Sequence, residues 1–168
     1  MQAVLRWLHY IGVAFWAGGT FVNALVLEPS MLAISPPERG KLMGAFGKRF
    51  IPLVWGSVVV VGITGLILTN SLIGLSGLLS FDTRYGNILL TKTIVVALMI
   101  LNGVYLSALG PKIASFAPPP GGPPPAGPGE GARPPGPPPE LLRLQGRMAT
   151  LSWVQVVLML VVLFLIAL

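Results

Sequence analysis

Residues 3–27 read AVLRWLHYIGVAFWAGGTFVNALVL, and this stretch decides the fold class. A helix rises about 1.5 Å per residue, so about 20 apolar residues cross the roughly 30 Å hydrocarbon core of a bilayer. The stretch exceeds that length and carries one charged side chain, Arg6, near its start. It is also longer than the roughly 7 to 15 apolar residues of a secretion signal, and no small-residue cleavage site closes it. We therefore predict a retained membrane-spanning helix.

Three further apolar runs have a similar length, at about residues 51–73, 87–109 and 149–168. Of the 168 residues, 54% are hydrophobic and 10% are charged, which is too little polar side chain to coat a water-soluble globule. The sequence predicts an all-α fold, in which one polytopic transmembrane domain over 1–168 forms a four-helix bundle. The chain contains no Cys, which excludes disulfides, iron-sulfur clusters and thiolate metal sites.

Proline and glycine mark the predicted connections. Residues 118–139 read PPPGGPPPAGPGEGARPPGPPP, a composition that cannot form a packed core and predicts a flexible linker between the third and fourth helices. Pro29 is expected to end the first span and Pro111 the third, while Pro52 is expected in the first turn of the second. Residues 38–49 contain enough helix-forming side chains for a short amphipathic helix at the membrane surface.

The Lys and Arg residues favour one orientation of these helices. They concentrate in the two connections on the same side of the membrane, and cytoplasmic loops carry the excess of such residues. We therefore expect a protein of the plasma membrane with both termini outside. The net charge of +6 then reflects the topology of the protein in the membrane. The lipid bilayer is its expected partner. Basic and aromatic residues are not interleaved as nucleic-acid binding would require. The basic residues of the two connections are Arg39, Lys41, Lys48, Arg49, Lys112, Arg133, Arg143 and Arg147.

The only histidine of the chain, His9, lies about two helical turns into the first span. An ionisable side chain inside a hydrocarbon-length segment is costly and therefore marks a candidate functional site. Steps of three and four residues place His9 on one stripe of the helix, which we expect to face the bundle. Glycines on that stripe admit either a neighbouring helix or a flat ligand. The stripe comprises Arg6, His9, Gly12, Trp16, Gly19 and Asn23.

Lys92 lies about as deep in the third span as His9 does in the first, roughly 8 Å inside the outer boundary. Polar groups of the other two spans, at 69–71, Ser152 and Gln155, are expected to reach the same outer pocket. Two simpler interpretations stay open. The ammonium group of Lys92 extends to the headgroups, or the imidazole of His9 only forms a hydrogen bond to a neighbouring helix. No Asp or Glu falls inside a predicted span, which weakens a multistep proton path.

Such a pocket suits a b-type haem. The neutral imidazole of His9 is a good axial ligand, and nearby cations would neutralise the propionates. An aromatic ring and a glycine would frame the macrocycle, and a methionine of the third span is one candidate sixth ligand. One histidine excludes ligation by two histidines of the same chain. The predicted cofactor-binding residues are His9, Lys92, Arg6, Trp16, Gly19 and Met99, with His9 as the metal ligand.

A copper ion is the alternative to haem as the group bound at this site. Thioether sulfur and imidazole suit Cu(I), and the chain has six Met besides His9. These methionines are scattered, without the closely spaced pairs that a copper site would use. Hydrolytic catalysis has no support, because the GxSxG, HExxH and paired-carboxylate patterns are missing from the sequence.

Two stretches resemble a known family. Residues 5–31 (LRWLHYIGVAFWAGGTFVNALVLEPSM) and 85–113 (YGNILLTKTIVVALMILNGVYLSALGPKI) are similar to helices of the copper-resistance D (CopD) integral-membrane family and of its relatives, the HemJ-type protoporphyrinogen oxidases. The resemblance implies a helical bundle whose functional core contains the first-helix His, here His9, and the later-helix Lys, here Lys92. It also implies haem b and porphyrin oxidation for the HemJ type, or copper uptake and tolerance for the CopD type.

This chain departs from both groups. The additional histidines of the HemJ type are missing, as are the extra Met and His positions of a copper handler, and the proline-rich segment belongs to neither pattern. Three hypotheses follow. The first is a b-type haem protein in electron transfer or membrane redox chemistry, with His9 as axial ligand. The second is a CopD-like copper transport or tolerance protein. The third is a cofactor-free accessory subunit, and a homo-oligomer or a larger membrane complex is compatible with each.

Overall fold

The computed structural model describes residues 1–77, 84–116 and 138–167, and among them it contains helices and no strand. Four helices are long and apolar enough to cross a membrane, which confirms the predicted all-α, polytopic membrane fold. These four spans are Gln2–Ser30, Glu38–Leu72, Gly86–Ala114 and Pro139–Ala167. In chain order the elements are α1 (Gln2–Phe21), a π-helical segment (Val22–Leu27), α2 (Glu28–Ser30), a 3-10 turn (Met31–Ala33), α3 (Pro36–Gly77), α4 (Arg84–Ala114) and α5 (Pro139–Ala167).

The helices associate as two antiparallel pairs, α1 with α3 and α4 with α5. In the first pair, the start of α1 lies beside the end of α3, where His9 contacts Thr64. Further along, the ring of Phe50 lies over Gly19. The absence of a side chain at that glycine lets the two helices approach closely, which is a common way for helices to associate in lipid.

A cluster of buried side chains, the central cluster, joins the two pairs. All four spans contribute to it, and Met99 of α4 and Met159 of α5 are its most buried members, at 1% and 2% exposure. Large apolar side chains on the opposite helix faces, such as Phe15 and Leu101, are exposed and suit contact with lipid. The central cluster comprises Trp16, Ala17, Val61, Val95, Met99 and Met159.

The sequence predicted that the first span ends at Pro29, but in the structure the helix continues past this residue. The helix widens into π geometry over Val22–Leu27, and the backbone N–H of Glu28 donates to the carbonyl oxygen of Asn23. Pro29 then lies at the start of the short α2, in a helical first turn where a missing N–H is tolerated. The span therefore continues to Ser30.

The second span also differs from the prediction. The expected surface helix over 38–49 and the expected span over 51–73 form one continuous helix, α3, so Pro52 lies in its interior. The regular geometry of α3 is interrupted at Gly74, where φ is 71° and ψ is 158°. Only glycine adopts this left-handed backbone region without steric cost, so Gly74 marks the effective end of the span.

The third and fourth spans are longer than predicted. The helix α4 contains Pro111 and ends at Ala114, and α5 begins at Pro139. Proline suits this first helical position, because its fixed φ is helical and its missing N–H needs no partner there. The predicted linker over 118–139 lies outside the described residues except for its last two prolines.

Candidate functional site

His9 lies in α1 with its imidazole against α3. Its Nδ1 atom is 2.9 Å from the hydroxyl oxygen of Thr64, and the ring is partly buried. Gly65 makes room for the ring, since a Cβ added there would lie 3.3 Å from His9 Cε1. One buried threonine and one glycine of α3 therefore fix the position of the imidazole.

The hydrogen-bond geometry of Thr64 favours one tautomer of a neutral His9 imidazole. Its hydroxyl donates to the carbonyl oxygen of Val60, one turn earlier in α3. A hydroxyl has a single hydrogen, so toward His9 it acts as the acceptor and Nδ1–H is the donor. In neutral imidazole the other nitrogen, Nε2, then keeps its lone pair, which is the arrangement found in metal-ligating histidines.

Lys92 shares the depth of His9 but not its contacts. The contact between α5 and the end of the first span places α1 and α4 in the same direction. His9 lies two turns before Trp16, and Lys92 two turns before Met99, about 10 Å along each helix. Because Trp16 and Met99 share the central cluster, the two ionisable side chains lie at a similar level. Lys92 is partly exposed, and no hydrogen bond joins it to His9 in the part of the chain that the structure describes.

Arg6 lies one turn before His9 at the same end of the bundle, and its side chain is exposed. An exposed cation at this position can meet a negatively charged group near the membrane boundary. Arg6 and Lys92 thus supply two cations near the level of the imidazole.

Trp16, Gly19 and Met99 have a different role from the one predicted. Trp16 and Met99 are packed inside the central cluster, at 5% and 1% exposure. A Cβ at Gly19 would lie 3.2 Å from the ring of Phe50. These three residues hold helices together and leave no room between them for a macrocycle, so they do not fit as walls of a haem pocket. The imidazole of His9, with Nδ1 against Thr64, stays a candidate ligand.

The polar groups of the four spans do not meet in one outer pocket. Ser152 of α5 lies beside Glu28, at the opposite end of the first span from His9, about 28 Å away along the helix. The expectation for Ser152 was wrong because α5 enters the bundle at the end where the first span finishes. Two separate polar regions therefore exist, one at each end.

Glu28 is the residue that the sequence interpretation missed. Its Oε1 atom accepts hydrogen bonds from Asn23 Nδ2 at 3.1 Å and from Ser152 Oγ at 2.8 Å. Glu28 is partly buried and lies within a helix long and apolar enough to span the membrane. Glu28 directly follows the first predicted span, 3–27, so the expectation that no acidic residue lies in a span did not consider it. The π-helical segment allows the hydrogen bond between Asn23 and Glu28, because it places these two residues, five apart, on the same face.

An amide pair extends the polar region at this end. Asn102 Nδ2 donates to Gln155 Oε1 at 2.8 Å and to the carbonyl oxygen of Leu151 at 3.0 Å. Gln155 is buried, so its carbonyl oxygen needs the partner that Asn102 provides. The bond fixes the register of α4 against α5 in the half of the bundle that also holds Glu28.

The chain matches no protein-family model, no curated protein and no solved structure.

Proposed function

We propose that this membrane protein binds one b-type haem through Nε2 of His9 and acts in electron transfer or membrane redox chemistry. The observation that carries the proposal is the hydrogen bond from Nδ1 of His9 to Thr64, whose own hydroxyl is committed to Val60. Such an outer partner orients an imidazole and makes the free nitrogen a better ligand.

The number of metal-ligating side chains that the protein can supply favours haem over a bare copper ion. A haem brings four nitrogens of its own and needs one axial side chain from the protein. The described residues contain no group of three or more His, Cys, Asp or Glu that would hold a metal ion. The thioethers of Met99 and Met159 lie in the central cluster, about two turns deeper than His9. Copper binding through His9 and methionine therefore remains the second hypothesis.

The chain's own residues have distinct tasks in this proposal. His9 would hold the iron through Nε2, Thr64 would keep its ring in one tautomer, and Arg6 and Lys92 would attract the propionate carboxylates. When bound, the haem supplies one-electron chemistry. The packed residues Trp16, Gly19 and Met99 would support the site through the bundle.

The proposed setting is the plasma membrane with both termini outside. In that orientation the end with Arg143 and Arg147 faces the cytoplasm, and the His9 end lies in the outer leaflet. Because one chain supplies one imidazole, a second histidine ligand would come from a second copy or a larger membrane complex, which would also supply the electron partner.

An absorption spectrum of the detergent-purified protein tests this function. We expect a Soret band that shifts on reduction and is lost in His9→Ala. The matched control is Tyr10→Phe, which changes an exposed neighbour and should leave the spectrum intact. A colourless protein that retains stoichiometric copper would replace the proposal with the copper hypothesis. A colourless, metal-free protein would favour a cofactor-free accessory subunit of a larger complex.

A further inference from the structure

One face of α5 carries two adjoining shallow grooves, both open to the surface, that the proposed function does not use. The groove nearer the start of the helix lies between α4 and α5. The second continues along α5 toward its end, and Thr150 lines both. The first is lined by Tyr105, Arg143, Gly146, Arg147, Thr150 and Leu151. The second is lined by Thr150, Trp153, Val154, Val157 and Leu158.

The first groove is cationic. Arg143 and Arg147 lie one turn apart on α5 and are both exposed. Gly146 leaves the space beside them open, since a Cβ added there would meet no atom within 4 Å. Glu140 is the nearest acid along the helix, and no ion pair joins it to either arginine in the described chain. Two guanidinium groups free of carboxylates are well suited to hold a phosphate.

The second groove is apolar and reaches into the membrane. Trp153, Val154 and Val157 are exposed side chains on the face that follows the arginines. From Arg147 to Leu158 the helix rises about 16 Å, close to the roughly 15 Å of one hydrocarbon leaflet. The hydroxyl of Thr150, at the junction, donates to the carbonyl oxygen of Gly146 in its own helix, so its polar group is already satisfied there.

We propose that this face of α5 is a binding site for one anionic phospholipid. Its phosphate lies between Arg143 and Arg147, and one acyl chain lies along Val154, Val157 and Leu158. The charge at one end of the face and the apolar groove at the other match the two parts of a lipid. A free phosphate would use the arginine end alone. This site is independent of His9, which lies near the other end of the bundle.

Native mass spectrometry of the full chain in detergent tests the site, with dioleoyl phosphatidylglycerol as the probe and dioleoyl phosphatidylcholine as the uncharged comparison. We expect one phosphatidylglycerol to bind roughly 10- to 30-fold more tightly to the wild type than to R143Q/R147Q, because two cations near the anionic lipid are removed. Gly146→Leu fills the groove without changing the charge and should weaken binding as well.

The control is K41Q/K48Q, which removes two exposed cations of α3 and should retain the lipid. Equal loss in this control would show general charge attraction and overturn the site. Displacement of the lipid by millimolar inorganic phosphate, or equal binding of phosphatidylcholine, would also overturn it. All five exchanged residues are exposed, and circular dichroism checks that the helices persist.

Discussion

Ser152 Oγ donates a 2.8 Å hydrogen bond to Glu28 Oε1 and so ties the last helix to the end of the first span. The two residues belong to different helix pairs, so this bond complements the apolar contacts of the central cluster. A carboxyl group in a membrane-spanning helix is costly unless it has partners. Glu28 has two, and both donate to the same oxygen atom.

Replacing Ser152 with alanine should lower the free energy of unfolding by about 0.5–1.5 kcal/mol, the usual net value of one hydrogen bond. The measurement is reversible unfolding in detergent, followed by circular dichroism. Ser71→Ala is the control, because that exposed hydroxyl bonds to Leu68 within its own helix. Equal effects of the two changes would contradict a bond that joins helix pairs.

Replacement of Glu28 with glutamine should destabilise the protein less than replacement with alanine. In Glu28→Gln the side-chain carbonyl still accepts from Asn23 and Ser152, whereas Glu28→Ala leaves both donors without their partner. We expect Glu28→Ala to destabilise the protein by about 1–3 kcal/mol and Glu28→Gln by clearly less. Unfolding in detergent measures both. Identical losses would mean that the two hydrogen bonds contribute nothing to stability.

Gly12 should be intolerant of any side chain. A Cβ at this position would lie 2.8 Å from Val61 Cγ2, closer than atoms pack, so either the Val61 side chain leaves its rotamer or α1 and α3 move apart. Gly12→Ala should therefore cost about 1–3 kcal/mol, as overpacking does in other cores. Gly18→Ala is the matched control in the same helix, since its Cβ would meet no atom within 4 Å. It should be neutral or stabilising, because alanine favours helix by up to about 1 kcal/mol over glycine. The reverse order of stabilities would contradict the pairing of α1 with α3.

Local sequence patterns predicted much of this fold. The four apolar runs gave four spans, and three- and four-residue spacing placed Gly12 and Trp16 on the buried face of α1. Such spacing holds for regular α-helix and fails at the π-helical segment, where the sequence pattern predicts a stop at Pro29 and places Glu28 outside the span.

The partners of the site residues were less predictable. In the sequence, Thr64 is an ordinary small polar residue in an apolar run. Its contact with His9 depends on how α3 lies against α1. Ser152 does face the bundle, yet it lies at the opposite end from the predicted pocket. Helix periodicity specifies faces, whereas the register between distant helices depends on packing over the whole molecule.

Thr64 should control how well His9 holds its ligand. Thr64→Val keeps the shape but removes the acceptor for Nδ1–H, and loss of such an outer partner typically weakens metal binding about 10- to 100-fold. Haem titration of the apoprotein measures this change. Thr64→Ser keeps the hydroxyl and should bind nearly as the wild type does. Thr93→Val removes an exposed hydroxyl that bonds within α4 and should have no effect. Equal haem affinities in Thr64→Val and the wild type would contradict the proposed role of Thr64.

The central claim is that Nε2 of His9 is the protein ligand of a haem. The most direct measurement is the reduced-minus-oxidised difference spectrum of His9→Gly, recorded with and without added imidazole. We predict that the variant loses the haem bands of the wild type and regains them with imidazole, which fills the space left by the ring. Wild-type haem bands in His9→Gly without imidazole would contradict the claim, and so would a wild-type protein that binds no haem.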